Sequence, residues 1–217
     1  MSNRIVAMLG DYYHKQEWAV QALNKALENI SEIDVEYKQT DNLIKMLESK
    51  PKLVILFKEN RLNPEDENVK LWMNKEVALA ISQYVKEGGV WIAWHSGLAS
   101  YDDIEKYTSM LKGHFVHHPE KHQRVTYTTE IGTEIIDCHE KFAFVDEHYF
   151  VDCDEEKTNI FLRSESVDGS SIAGWTHEYG KGRVICLTPA HLQEGLLHPM
   201  MITLLSNSLK LGFNMEK

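Results

Sequence analysis

Histidine, serine and carboxylate side chains recur in this chain where strand patterns stop, the positions from which an α/β fold presents chemistry. His95-Ser96-Gly97 follows the apolar run Val90 to Trp94, and an imidazole there could move a proton, donate a hydrogen bond or bind a metal near neutral pH. Ser96 beside it is not a nucleophile and base pair by itself, because adjacent side chains leave a strand end in different directions. It is either a site hydroxyl or a loop serine that caps a helix. His191 stands past Val184 to Leu187, with Pro189 ending ladder pairing, and is either a second site imidazole or a surface loop histidine.

Asp146-Glu147-His148-Tyr149 interrupts an apolar pattern that runs from Phe142 to Val151. Polar groups inside a strand pattern are costly to bury without partners. Strict alternation puts Glu147 and Tyr149 on one face and Asp146 and His148 on the other. Glu147 is then a candidate general acid or base, or a solvated residue of an edge strand.

Histidine is plentiful, with 11 in all, and Gly113 to Pro119 with His122 forms a dense local group. It lacks HExxH spacing and paired cysteines, so it reads as a loop near a ligand, with a zinc-type site as the alternative. His14 follows the first strand on the same rim as His95, which makes His14, His95 and His118 the candidates for a divalent metal such as zinc. No GxGxxG or GxxxxGK[ST] occurs, and Gly180-Lys181-Gly182-Arg183 opens a strand rather than a helix. It reads as a hairpin turn, not a phosphate loop.

The elements that must position these groups follow from periodicity. Ile5 to Leu9, Ile33 to Tyr37, Leu53 to Phe57 and Val90 to Trp94 are strand patterns. Between them lie helical patterns carrying Trp18, Ala22, Ala26 and Ile30, then Leu43, Ile44 and Leu47 with Thr40 or Asp41 as cap, then Val77, Ala80, Ile81 and Tyr84. Pro64 marks a loop and helix entry, and Gly88-Gly89 closes the third helix. Such alternation implies a doubly wound, mostly parallel sheet with helices on both faces. After a helix around Ile104, Tyr107, Met110 and Leu111, the second half turns strand-rich: Gln123 to Thr128, Phe142 to Phe150, Asn159 to Arg163 and a hairpin from Ala173 to Leu187. These should add antiparallel strands to the same sheet before a last helix, Pro199 to Phe213. With no linker, repeat or low-complexity stretch, residues 1–217 read as one domain.

Composition narrows the partners. A net charge of −10 and three cysteines without CxxC argue against a nucleic-acid partner and against a disulfide framework. No apolar run approaches the roughly 20 residues that span a bilayer, and Ile5 to Leu9 is too short for a signal peptide. The expected setting is the cytoplasm, with a small-molecule ligand, no membrane, and room for a homo-oligomer.

Taken in order, Gly88-Gly89 with Trp91-Ile92 and His95-Ser96, Leu111-Lys112-Gly113 to His118-Pro119, Asp146 to Tyr149, and Gly174-Trp175 through Gly180-Lys181-Gly182-Arg183-Val184 to His191 resemble the ThuA-like (trehalose utilisation) family. That resemblance implies a flavodoxin-like fold of the class I glutamine amidotransferase-like superfamily. It also implies a crevice faced by His95, Ser96, Glu147, Tyr149, His191 and His198, although Pro199 suits His198 to a helix start. In true amidotransferases the strand before the elbow delivers a cysteine and a late hairpin leads to His-Pro-Glu. Here His95 or Ser96 holds the elbow and the late motif is His191-Leu192-Gln193, so thiolate hydrolysis of glutamine is excluded. Ala190 stands where family members commonly have glycine.

The implied function is action on, or binding of, a carbohydrate or keto-sugar, with His95, Ser96, Glu147 and His191 as catalytic candidates and His14, Tyr149 and His198 contacting substrate. Two alternatives remain open: a non-catalytic ligand-binding or interaction module marked by exposed Trp18, Trp72 or Tyr101, and a metal-dependent hydrolase.

Overall fold

The computed structural model describes residues 3–213. The first half builds β1 (Asn3–Leu9), α1 (Gln16–Leu27), β2 (Ile33–Tyr37), α2 (Leu43–Glu48), β3 (Leu53–Phe57), α3 (Lys75–Lys86), β4 (Val90–Trp94) and α4 (Glu105–Leu111). The second half adds β5 (Gly113–His117), β6 (Gln123–Thr129), β7 (Lys141–Asp146), β8 (Phe150–Cys153), β9 (Asn159–Ser166), β10 (Gly169–Tyr179), β11 (Gly182–Leu187), α5 (Gln193–Leu196) and α6 (Pro199–Phe213).

A nine-stranded sheet has the order β2-β1-β3-β4-β11-β10-β9-β6-β7. Strands β2, β1, β3, β4 and β11 run parallel, and β10, β9, β6 and β7 continue antiparallel. This is the doubly wound sheet with added antiparallel strands that the patterning predicts. The apolar runs are continuous because both faces are covered. Ile5, Ala7, Leu53, Ile55, Ile92 and Ile185 face α1 and α6, whereas Val6, Val54, Leu56, Trp91 and Val184 face α2, α3 and α4. Alternate residues of one strand thus enter opposite cores.

The hairpin joining β10 to β11 turns at Gly180, whose φ of +67° suits glycine. A Cβ there would also lie 2.7 Å from the Lys86 carbonyl oxygen, so the turn can seat directly on the end of α3.

Three expectations need correction. Helix α3 is entered at its cap Asn74, whose side chain accepts from the Val77 N–H, and not at Pro64, which lies in a turn-rich connection. The stretch from Gly113 is strand β5 as far as His117, paired antiparallel with β8 in a separate two-stranded sheet, and is a loop only at 118–122. The Phe142 to Phe150 strand is broken at residues 147–149, with β7 in the large sheet and β8 in the small one. Among the described residues no helix is long and apolar enough to cross a membrane.

Candidate active site

Because β1 is flanked by β2 on one side and β3 on the other, the connections leaving β1 and β3 depart to opposite faces and open a crevice at the carboxyl ends of the parallel strands. His14 follows β1, His95 follows β4 and His191 follows β11, so all three imidazoles arrive at that end.

Each is held from behind. The Asp11 carboxylate accepts from the N–H groups of Tyr13 (3.0 Å), His14 (3.1 Å) and Glu59 (2.9 Å), which pins the loop after β1 to the end of β3. Its Oδ1 also lies 2.6 Å from His14 Nδ1. His95 sits at φ +45°, a left-handed position that costs a non-glycine residue on the order of 1 kcal/mol or more. It is this residue, not Ser96, that occupies the strained elbow. The Thr188 carbonyl lies 2.6 Å from His95 Nδ1 and can only accept, so Nδ1 carries the proton and Nε2 presents a lone pair. Tyr149 stacks on the His95 ring at 4.2 Å and Phe57 at 5.8 Å. The turn after His95 needs Gly97, since a Cβ there would meet the Leu56 carbonyl oxygen at 2.2 Å. His191 is fixed through its backbone N–H, which donates to Asp146 Oδ1 at 2.7 Å, while Tyr127 donates to Oδ2 at 2.9 Å.

Glu147 comes from beyond β7, the far edge strand of the sheet, which reaches the site because β7 packs against α5. Its Oε2 lies 3.2 Å from His191 Nδ1 and 3.6 Å from His95 Nε2, and its Oε1 lies 3.6 Å from His122 Nε2. Ring centroids separate His14 from His191 by 4.6 Å and from His95 by 4.9 Å. One donor atom from each of His14, His95, Glu147 and His191 lies within 4.8 Å of all the others.

Burial and mutual charge then set the protonation states. Burial pushes His95 down to about 4, the nearby imidazoles adding to it and Glu147 opposing, so the ring is neutral at pH 7. Burial alone would raise Glu147, but its contact with His191 outweighs that and holds its carboxyl well below the usual carboxylate range. Burial works against a charged His191 too, yet Glu147 and then Asp146 leave it raised. Asp11 is lowered to about 2, where His14 and the Glu59 N–H outweigh burial. Burial pushes Asp146 up to about 7 despite the His191 N–H and the Tyr127 hydroxyl.

The structure therefore brings His14, His95, Glu147 and His191 together, with Tyr149 as a wall. It places the other candidates elsewhere. Ser96 is fully buried and its hydroxyl has no hydrogen-bond partner, so no base activates it. His118 is exposed, with Nδ1 2.8 Å from the Pro119 carbonyl oxygen, and does not join His14 and His95 as a donor. His198 immediately precedes α6: its Nδ1 accepts from the Met200 N–H and its ring packs on Phe142 and Phe144. His148 turns away to Ser164 and Ser166.

Sequence reasoning missed Asp11, and it named Asp146 and His122 only within wider motifs, without their partners His191 and Glu147. Asp11 carried a usable signal, an aspartate three residues before a histidine just past a strand end. The aromatic residues expected to mark an interaction surface are largely covered, with Tyr101 buried, Trp18 and Trp72 half-buried, and the Trp72 indole donating to the Glu59 carbonyl.

No curated protein matches the chain in sequence. Among solved structures it is similar to a ThuA-like protein from Parabacteroides merdae, with TM-score 0.73 and 14% identity over 99% of this chain and 91% of that one. A cytoplasmic protein of Salmonella typhimurium LT2 gives TM-score 0.67 and 12% identity over 96% of this chain and 98% of that one. A β-galactosidase from Rahnella sp. R3 gives TM-score 0.64 and 13% identity over 100% of this chain but only 32% of that one. At such identities the likeness shows the fold. The family model described as trehalose utilisation matches residues 4–210, nearly the whole described length, and so the chain belongs to the ThuA family.

Proposed function

We propose that the chain acts on a carbohydrate or keto-sugar in the strand-end crevice, with the four-residue cluster at the reacting end. The observation that carries this reading is the convergence of His14, His95, Glu147 and His191 on one point at the end of the parallel sheet. Paired imidazole and carboxylate groups suit proton movement on a sugar hydroxyl or on a carbon beside a carbonyl. Glu147 offers two different oxygens for this. Oε2 lies between His95 and His191, whereas Oε1 faces the exposed His122. Tyr12 and Tyr13, 63% and 41% exposed on the loop that carries His14, supply flat faces of the kind that sugar rings stack upon.

The family's description as trehalose utilisation supports the carbohydrate class, and the cytoplasm is the setting that goes with it. The test is a panel of sugars and keto-sugars measured for their effect on the melting temperature. A ligand-dependent rise that disappears in His95→Ala and His191→Ala is expected; no rise with any member of the panel overturns the reading.

A further inference from the structure

We propose that His14, His95, His191 and Glu147 together bind one divalent first-row transition-metal ion. The inference deepens the reading of the carbohydrate site, on which it rests for location alone.

Three nitrogens carry the argument. His14 Nε2, His95 Nε2 and His191 Nδ1 are all buried without a hydrogen-bond partner. A buried polar atom left unpaired costs on the order of 1–3 kcal/mol, and here three such atoms point at one small volume beside a carboxylate. The histidine and glutamate contacts do not relieve this. His191 Nδ1 stands 3.2 Å from Glu147 Oε2 without the alignment of a hydrogen bond, and His95 Nε2 at 3.6 Å is too far for one. Atoms that face a common centre rather than each other are what coordination produces.

The distances fit an ion. Donors at about 2.0–2.2 Å from a metal lie about 3–4 Å from one another. The two Glu147 separations fall in that range, and the outer limit of 4.8 Å for the set requires a contraction of about 1 Å. The imidazoles are also oriented as ligands are. His14 gives its other nitrogen to the Asp11 carboxylate and His95 gives its own to the Thr188 carbonyl, which fixes the tautomer that leaves Nε2 free to coordinate. The Asp146 bond to the His191 backbone sets the third ligand's position.

Three imidazoles with one carboxylate select zinc, cobalt, nickel, iron or manganese over magnesium and calcium, which prefer all-oxygen sites. This donor set replaces the expected one, with His191 and Glu147 present and His118 absent. An ion that expands beyond four ligands keeps positions for neighbouring oxygens of a sugar and can polarise a carbonyl there.

The test uses the full-length protein stripped with a chelator, then titrated separately with Zn²⁺, Co²⁺ and Mn²⁺, reading bound metal per chain and melting temperature. One ion per chain, a raised melting temperature and visible Co²⁺ absorption bands are expected. Glu147→Gln, which keeps the side-chain shape, and His14→Ala should each weaken binding by about 10- to 100-fold or more. Binding well below one ion per chain for all three metals overturns the inference, as does unchanged affinity in both variants. If a variant fails to fold, metal content and melting shift of the unaltered protein still decide. The two readings separate cleanly: a sugar-dependent melting shift in protein that binds no metal removes the ion and keeps the carbohydrate. Stoichiometric metal with no sugar effect in the loaded protein does the reverse.

Discussion

Asp11 and His14 are joined at 2.6 Å between Oδ1 and Nδ1, and the far nitrogen of the same imidazole is buried with nothing to bond. The carboxylate decides which nitrogen carries the proton, and hence that Nε2 faces the crevice as a lone pair. Asp11→Asn keeps one oxygen for the loop N–H groups but can present an amide to His14 in either sense. Ligand affinity of the site, read by isothermal titration, is expected to fall about 10- to 100-fold while the fold persists in circular dichroism. Unchanged affinity would show that the pair only braces the loop.

Ser96 provides the contrary case. Its hydroxyl is fully buried and unpartnered, so replacing it with alanine removes an unsatisfied polar group. Ser96→Ala should leave the melting temperature unchanged or slightly raised and leave any sugar-induced shift intact. Loss of that shift would return Ser96 to the reacting groups.

Tyr149 matters through its ring, which stacks on His95 at 4.2 Å and is 3% exposed. Tyr149→Phe should keep both stability and ligand response, whereas Tyr149→Ala opens a cavity against His95 and should cost about 3–5 kcal/mol in urea unfolding. Equal effects of the two substitutions would contradict this.

Gly97 is constrained by space alone, with the Leu56 carbonyl oxygen 2.2 Å from where a Cβ would stand. Gly97→Ala must push the turn after β4 away from β3, and a loss of about 1–3 kcal/mol in stability is expected. A wild-type urea midpoint would show that the turn is looser than its contacts imply.

His177 should make the fold acid-sensitive independently of the site. It is 3% exposed, its Nε2 lies 2.9 Å from the Met110 carbonyl oxygen, and burial lowers it from 6.5 to about 4. The unfolded chain takes up this proton first, so the contribution is complete above about pH 6.5 and is lost as pH falls toward 4. The full loss corresponds to about 3 kcal/mol. His177→Gln should flatten the stability profile over that window, and an unaltered slope would show that His177 is not its source.

The sequence revealed the parallel half well because β1, β3, β4 and β11 are short apolar runs bounded by turns, and burial on both faces leaves that mark in composition. His95 and His191 were legible for the same reason: a strand end fixes where the next side chain goes. The entry to α3 was misread because Asn74 caps by a single side-chain bond while Pro64 stands out in any scan. The pairing of β5 with β8 joins Gly113 to Cys153 across 40 positions, and nothing local encodes it. Glu147 was visible as a polar break, but its meeting with His95 and His191 depends on the far edge of the sheet coming back to α5. Such long-range geometry leaves no periodic trace.

The break between β7 and β8 divides the site's parts by origin. The three imidazoles are anchored at ends of the parallel strands, while Glu147 and Tyr149 hang on a span three residues long, 147–149, between two separate sheets. The span meets the histidine frame through the Tyr149 stack on His95 and the Glu147 contact with His191, not through the strands that carry the imidazoles. A scaffold partitioned in this way takes its nitrogen donors from the parallel sheet and its acidic and aromatic partners from a single short bridge.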